Sequence, residues 1–160
     1  IRIRAFSMYE LLLDVLDSLH QKYQKKKRPV EFHLEANENE DVWILADQER
    51  IQQVLINLID NAVKYGDEKG VVYISLDKQE GNLKTRIKDN GPGIDNEHLD
   101  KIFRRFYRVD KSRSRDKGGT GLGLAIVKHF LEAHGSHVSV ISQVGEGTTF
   151  AFPLKIAENA

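Results

Sequence analysis

Residues 48–65 read QERIQQVLINLIDNAVKY, and this stretch decides the fold more than any other part of the chain. Its apolar residues recur at steps of three and four positions: Ile51, Val54, Leu55, Leu58, Ile59 and Ala62. Apolar residues at this spacing form one stripe along an α-helix, and such a stripe is buried against another layer. The stretch therefore predicts a helix over 48–65 that packs onto a sheet or onto other helices.

The periodicity on either side of this helix predicts the rest of the fold. Helical spacing predicts helices over 9–23, 97–103 and 121–134. Apolar runs bounded by turn residues predict strands over 30–36, 42–45, 71–76, 83–88, 138–142 and 148–154. Several strands follow one another as hairpins, which excludes a doubly wound parallel sheet. We therefore expect an α+β protein, a two-layer α/β sandwich whose mixed, mainly antiparallel sheet is covered on one face by three main helices.

Composition restricts the class of protein. With 160 residues, 40% of them hydrophobic and 30% charged, the chain suits one globular domain. Its 24 basic and 24 acidic residues cancel, so no overall charge attracts nucleic acid, and we expect no nucleic-acid partner. The absence of cysteine excludes a disulfide scaffold, a thiolate zinc site and a cysteine nucleophile. No apolar run approaches the roughly 18 residues of a membrane-spanning helix.

A polar stripe flanks the apolar face of the helix predicted over 48–65. It consists of Asn57, Asn61 and Lys64, which lie on one side of a helix. A carboxamide oxygen can ligate Mg²⁺, and an ammonium group can bind a phosphate. Taken alone, the stripe is more typical of a solvated helix face, so its interpretation as a ligand site depends on the other segments.

Two glycine-containing segments are candidates for ligand contact. Residues 89–93 (DNGPG) follow a strand, and the Asp89 carboxylate could accept a hydrogen bond from an exocyclic amine such as that of adenine. The hydroxyl of Thr148 could support that carboxylate if the two residues are neighbours across the sheet. Residues 118–124 (GGTGLGL) open a helix, where free N–H groups form an anion site. This segment lacks the lysine of a Walker A loop and the last glycine of a Rossmann fingerprint.

The stretch over 104–120 has no apolar periodicity and is strongly basic. Residues 104–117 hold seven lysines and arginines against two aspartates. A cationic loop before a glycine-rich helix start suits a polyphosphate, and loops over active sites often act as lids. A single short basic segment makes nucleic acid the poorer interpretation.

The order of these segments resembles the N, G1, F, G2 and G3 boxes of bacterial sensor histidine kinases. The matching segments are 57–65 (NLIDNAVKY), 89–94 (DNGPGI), 103–108 (FRRFYR), 119–124 (GTGLGL) and 145–148 (GEGT). The resemblance extends over nearly the whole chain. It implies the catalytic ATP-binding (HATPase_c) domain of the GHKL superfamily, with the Bergerat fold, and therefore ATP and Mg²⁺ as ligands.

The resemblance also implies roles for individual residues. Asn61 would be the Mg²⁺ ligand, Asn57 would lie one turn away near the phosphates, and Lys64 and Arg108 would neutralise phosphate charge. These four are the expected catalytic residues. Asp89 would select adenine, and the loop over 104–120 would be the ATP lid. Further nucleotide contacts are expected from Tyr65, Gly91, Gly93, Ile94, Tyr107, Gly119, Thr120, Gly121, Leu122, Gly123 and Thr148.

The residue at position 57 favours a kinase over a hydrolase. GHKL members that hydrolyse ATP carry a glutamate one turn before the Mg²⁺ asparagine, whereas this chain has Asn57 there. A neutral amide cannot accept a proton from water, while an imidazole nucleophile needs no such base. Phosphoryl transfer to histidine is therefore the favoured function. A GHKL-type ATPase or ATP-gated interaction module is the alternative, and a protein-serine kinase of the anti-sigma branch is disfavoured by the basic lid.

The expected acceptor histidine is missing from this chain. In the family that the chain resembles, it stands five positions before a proline, and here those positions are Gln24, Ile87 and Thr148. We therefore expect residues 1–6 to be the remnant of a connector from an upstream dimerisation and phosphoacceptor domain, and 7–160 to be the catalytic domain. The resemblance also implies a response-regulator partner and a cytoplasmic location within a membrane sensor. We expect this part of the chain to be monomeric and the intact kinase homodimeric.

Overall fold

The computed structural model describes residues 1–36, 42–109 and 121–158. The elements in chain order are β1 (Arg4–Ser7), α1 (Met8–Lys25), β2 (Val30–Glu35), β3 (Trp43–Ala46), α2 (Gln48–Lys64), β4 (Gly70–Gln79), β5 (Asn82–Asp89), α3 (Asn96–Leu99), α4 (Gly123–Ala133), β6 (Ser139–Gln143) and β7 (Gly147–Lys155). Every predicted helix and strand is present. The short helix ends at Leu99 instead of residue 103, and β1 is an additional strand.

Five strands form a mixed sheet in the order β2-β4-β5-β7-β6. Only β2 and β4 run parallel, and the other three pairs are antiparallel. The β4–β5 hairpin turns at Glu80 and Gly81, both of which have a positive φ. The predicted mixed, mainly antiparallel sheet is therefore confirmed.

The helices form the second layer, and α2 lies at its centre. All six residues of its apolar stripe are buried, with Ile51, Leu55 and Leu58 fully inaccessible to solvent. They share one core with inward-facing sheet residues such as Ile74, Ile87 and Phe152. Because α2 contacts α1, α4, β4 and β5, it links the parts of the domain that carry the candidate site.

A second, two-stranded sheet joins the N-terminal segment to the domain. β1 pairs antiparallel with β3, and Phe6 on β1 is buried in the core. The Ser7 hydroxyl then accepts a hydrogen bond from the Glu10 N–H at 3.1 Å, which caps α1. The boundary expected after residue 6 thus falls inside β1. Among the described residues, no helix has the length and apolar character needed to cross a membrane.

Candidate functional site

Asp89 is a buried carboxylate at the end of β5. Only 5% of the residue is exposed to solvent. Its Oδ1 accepts hydrogen bonds from the backbone N–H groups of Gly91 at 2.8 Å and Thr148 at 3.2 Å. Within the described part of the chain, Oδ2 makes no hydrogen bond. Burial raises the pKa of Asp89, and the two backbone N–H groups offset only part of that effect. The site thus retains one acceptor oxygen without a protein donor.

The loop after Asp89 needs glycine at two positions. A Cβ on Gly91 would lie 2.5 Å from the carbonyl oxygen of Tyr65, at the end of α2. Gly93 has a φ of +80°, and a Cβ there would collide with the carbonyl oxygen of Gln143 on β6. The two glycines therefore allow the loop to approach α2 on one side and β6 on the other.

Ser142 is a site residue that sequence reasoning missed. Its Oγ donates to the Gly147 carbonyl at 3.1 Å, accepts from the Ile94 N–H at 2.7 Å and lies 2.8 Å from Thr148 Oγ1. Since Ser142 has one hydroxyl hydrogen, Thr148 donates between the two hydroxyls. The sequence signal that could have identified Ser142 is a serine at an inward-facing position in the alternation of a predicted strand.

Thr148 lies beside Asp89, but the expected contact between their side chains is absent. The Thr148 hydroxyl binds Ser142, and the backbone N–H of Thr148 is the group that supports the carboxylate. The reason is geometric, because Ser142 and Thr148 are register partners on β6 and β7, so their side chains meet on the same face of the sheet. The expectation that the hydroxyl supports Asp89 is wrong in this respect.

The polar stripe of α2 meets the start of α4. The Asn57 Nδ2 donates to the Gly123 carbonyl at 3.4 Å. One turn later, Asn61 is half-buried, and its carboxamide makes no hydrogen bond to any described residue. At the start of α4, Leu122 supplies no side-chain cap to the first turn. The Asn57 carboxamide thus lies at the start of α4, where anions are stabilised, and the Asn61 carboxamide follows one turn later on α2.

Lys64, the last residue of α2, is paired within the protein. Its ammonium lies 3.1 Å from Asp60 Oδ2, one turn earlier on the same helix. The Asp60 carboxylate also contacts Lys22 and Tyr23 of α1. The pairing joins the ammonium to a carboxylate that is itself held by α1.

The aromatic and basic residues of 103–108 are anchored at one end. Phe103 packs edge-on against Phe150 with ring centroids 6.1 Å apart. The Tyr107 hydroxyl is hydrogen-bonded to His98 Nδ1 of α3, and Arg108 is half-exposed. The Phe106 N–H donates to the Gly121 carbonyl at 2.9 Å, so both ends of the basic segment lie together. Gly119, Thr120 and most of the expected lid lie outside the described residues.

Three contacts connect the predicted residues into one region. Asn57 contacts Gly123, the Tyr65 carbonyl contacts Gly91, and Asp89 is bound by Thr148. A surface hollow of about 590 Å³ lies elsewhere, at the β4–β5 hairpin, and contains none of the predicted residues. In the ranges that the structure describes, no group of three or more His, Asp or Glu side chains could hold a metal ion.

Comparison with known proteins gives a consistent result. The family described as histidine kinase-, DNA gyrase B- and HSP90-like ATPases matches residues 46–158. The sensor histidine kinase WalK of Bacillus subtilis is 45% identical over 135 residues, which are 83% of this chain and 22% of WalK. The sensor protein SrrB of Staphylococcus aureus is 42% identical over 141 residues, 88% of this chain and 24% of SrrB. The chain thus spans less than a quarter of the length of these relatives.

Solved structures show the same fold. The catalytic domain of histidine kinase ThkA superposes with a TM-score of 0.79 at 29% identity, covering 97% of this chain and 96% of that one. Full-length ShkA, crystallised with AMPPNP, superposes with a TM-score of 0.82 at 28% identity, covering all of this chain and 32% of ShkA. These matches confirm the α/β sandwich. This chain therefore belongs to the histidine kinase-, DNA gyrase B- and HSP90-like ATPase family and is a homologue of the ATP-binding domain of sensor histidine kinases.

Proposed function

We propose that this domain binds Mg·ATP and donates its γ-phosphoryl group to a histidine on a separate dimerisation and phosphoacceptor domain. The observation that carries the proposal is the buried Asp89 carboxylate, whose Oδ2 has no hydrogen-bond donor among the described residues, in the same region as the amide stripe of α2. The names of the relatives, which are sensor histidine kinases, support the choice of reaction.

The adenine end of the proposed site is formed by Asp89, Gly91, Gly93, Ile94 and Thr148. The Asp89 Oδ2 would accept a hydrogen bond from the adenine amino group, because no donor in the described ranges binds it. The surrounding loop is fixed by Ser142 and by contact with α2. A preformed acceptor of this kind selects adenine over guanine, which presents a carbonyl oxygen at the corresponding position.

The phosphate end is formed by α2 and the start of α4. Lys64 and Arg108 would offset phosphate charge, and Gly119, Gly121 and Gly123 would present backbone N–H groups. Tyr65 and Tyr107 would line the pocket between the two ends. The remaining contacts come from Thr120 and Leu122.

Asn61 fits the expected Mg²⁺ ligand. Its carboxamide has no partner among the described residues, and a carboxamide oxygen is a suitable hard ligand. The absence of a cluster of acidic side chains within the described ranges agrees with an ion that arrives with the nucleotide and retains water ligands. When bound, Mg²⁺ would neutralise phosphate charge.

The proposed phosphoryl transfer requires the protein mainly to hold ATP and the acceptor histidine in the right relative position. An imidazole nitrogen attacks the γ-phosphorus with its lone pair, and the bond to the bridging oxygen breaks to release ADP. Asn57 accepts no proton, which leaves water without a general base. Lys64 and Arg108 would stabilise charge on the transferred group, as electrostatic contacts do in other phosphoryl transfers.

The partners follow from the proposed reaction. The acceptor domain would lie upstream of residue 7 in the intact protein, which we propose to be a homodimeric membrane sensor with this domain on the cytoplasmic side. A response regulator would receive the phosphoryl group. The solved structure of ThkA in complex with the response regulator TrrA provides an example in a protein 28% identical to this one.

Two assays test this proposal together. We expect the domain to bind ATP with Mg²⁺, to acquire no stable phosphate by itself, and to phosphorylate an isolated acceptor domain added in trans. Asn61→Ala should abolish the Mg²⁺-dependent part of binding. Rapid phosphate release without an acceptor would instead identify an ATPase, and absence of nucleotide binding in calorimetry would contradict the proposal as a whole.

A further inference from the structure

Asp60 on α2 is held by donors from two helices. The Lys22 ammonium lies 3.0 Å from Oδ1, and the Tyr23 hydroxyl donates to the same oxygen. The Lys64 ammonium lies 3.1 Å from Oδ2. The Asp60 side chain is only 16% exposed, whereas the side chains of Lys22 and Lys64 are 39% and 26% exposed, so a largely buried carboxylate is held by partly exposed cations.

The charges of the network are mutually stabilised. Burial raises the pKa of Asp60, but the hydrogen bonds from Tyr23, Lys22 and Lys64 outweigh burial, and the resulting pKa is lower than usual. Burial also raises the pKa of Tyr23, and its hydrogen bond to Asp60 raises that pKa further, so the phenol stays protonated. The contacts with Lys22, Tyr23 and Lys64 therefore fix the orientation of the Asp60 carboxylate.

The two carboxylate oxygens have separate partners. Oδ1 is held by α1 through Lys22 and Tyr23, which leaves Oδ2 for Lys64 alone. An ammonium group has three N–H donors, and within the described residues only one of those of Lys64 is used. Lys64 can therefore keep its bond to Asp60 while its other donors contact a second anion.

We propose that Asp60 is a positioning residue, anchored by Tyr23 and Lys22, that holds the Lys64 ammonium ready for the phosphates of the bound nucleotide. The inference rests on the proposed function, because it takes the stripe of Asn57, Asn61 and Lys64 as the phosphate end of the site. An unanchored lysine side chain loses rotamer entropy when it binds a ligand. The network removes part of that loss before the nucleotide arrives.

Two competing roles of Asp60 predict different effects of its removal on nucleotide binding. If Asp60 merely neutralised Lys64, it would compete with the phosphates, and its removal would strengthen nucleotide binding. If it only tied α1 to α2, its removal would weaken the fold and would affect all ligands equally. The three roles are therefore distinguished by comparing how removal of Asp60 changes the affinity for ligands with phosphates and for ligands without them.

Calorimetric titration of Asp60→Asn with adenosine and with Mg·ADP tests the proposal. Adenosine carries the base and ribose without phosphate, so its affinity should be unchanged. The affinity for Mg·ADP should fall about tenfold, a change in the range of couplings between contacting charged groups. Equal losses for both ligands, or tighter binding of Mg·ADP, would overturn the proposal.

Tyr23→Phe provides a second test that removes one hydroxyl and preserves the packing of the ring. It should weaken Mg·ADP binding about threefold, as expected for one lost hydrogen bond, and leave adenosine binding unchanged. Asp77→Asn is the matched control, because Asp77 also pairs with a cation, Arg86, but lies on β4 outside the candidate site. Asp77→Asn should change neither affinity. An unchanged affinity of Tyr23→Phe for Mg·ADP would contradict the proposed anchor.

A double-mutant cycle separates positioning from any direct effect of the carboxylate. In a Lys64→Gln background, Asp60→Asn should cause no further loss of Mg·ADP affinity, because the residue that it positions is gone. An additional tenfold loss would overturn the role of Asp60. Failure of the unmodified domain to bind Mg·ADP would overturn the proposed function and this inference together, whereas normal binding with an inert Asp60→Asn variant would overturn the inference alone.

Discussion

Asp89 combines a folding cost with the capacity to bind a ligand. The carboxylate is 5% exposed and is opposed by no cation that contacts it in the described residues; two backbone N–H groups are its only donors there. Desolvation of a charge is costly, and these two bonds compensate only part of the cost. A residue that destabilises the empty domain is explained by a ligand that completes its hydrogen bonding.

Asp89→Asn should therefore stabilise the empty domain and weaken adenine binding. The free energy of unfolding at neutral pH should rise by about 1 kcal/mol, because the amide still accepts from Gly91 and Thr148 without a desolvated charge. Adenosine affinity should fall at least tenfold, because an amide NH₂ would face the adenine amino group. Urea denaturation and calorimetry measure the two effects. A less stable variant that binds adenosine normally would contradict this explanation.

The same variant gives a pH test with a defined sign. Because the folded-state pKa of Asp89 is raised, its unfavourable contribution is present at neutral pH and disappears as the pH falls through that pKa. The stability advantage of Asp89→Asn should accordingly shrink on acidification and vanish below the ordinary aspartate pKa of about 4. An advantage that stays constant down to acidic pH would show that desolvation of Asp89 is not its cause.

Ser142 acts on the same site by joining β6 to two other segments, the loop that carries Ile94 and the start of β7. Ser142→Ala should lower the free energy of unfolding by about 1 kcal/mol or more, because the partly buried Ile94 N–H loses its acceptor. Adenosine affinity should fall as well, since the loop over 91–94 loses its bond to β6. Ser139→Ala is the control, because Ser139 lies on the same strand and makes one bond of 3.3 Å to Ala151. Equal effects of the two substitutions would contradict the role of Ser142.

Helix α2 links the fold to the site, and its C-terminal end is capped by Arg28. This residue lies in the loop between α1 and β2. The Arg28 guanidinium donates to the carbonyl oxygens of Val63 at 2.6 Å, Asp67 at 3.0 Å and Glu68 at 3.1 Å. The last carbonyls of a helix lack partners within the helix, and a cation there also offsets the helix dipole. Arg28 thereby fixes the segment that carries Tyr65 against Gly91.

Arg28→Met should lower the free energy of unfolding by about 2 kcal/mol, because it leaves carbonyl oxygens without donors while it preserves the aliphatic stem. Chemical denaturation measures the loss. Lys26→Met, which removes an exposed cation of the same basic run, serves as the control and should stay within about 0.5 kcal/mol of the original chain. Indistinguishable midpoints for the two variants would contradict the capping role of Arg28.

The sequence predicted those elements whose residues repeat at a regular period. The α2 stripe and the alternating strands were recognisable because burial of one face imposes a periodicity on the chain. β1 was missed because its four residues show no alternation and form a strand only through pairing with β3, about 40 positions later. Gly91 and Gly93 were expected to contact a ligand, which stays a prediction; the structure shows that glycine is needed at both positions because a Cβ would clash with the backbone of Tyr65 and Gln143.

Contacts between distant segments leave no periodic pattern in the sequence. Asp60 follows no pattern that indicates its contacts with Lys22 and Tyr23, and Arg28 appeared only as part of a basic run. In the sequence Arg28 is one of four consecutive cations over 25–28, and only the assembled fold shows that it caps α2. Local spacing defines helix faces, but the pairing of one face with another depends on the assembled fold.

The domain is proposed to hold one nucleotide along α2, with the base at Asp89 and the phosphates at Asn61 and Gly123. A titration with Mg·ATP, followed by NMR of backbone and side-chain amides, tests this arrangement. We expect the N–H signals of Gly91 and Thr148 and the carboxamide signals of Asn57 and Asn61 to shift together with a single dissociation constant. Shifts confined to one of these two groups, or centred on the β4–β5 hairpin, would contradict it.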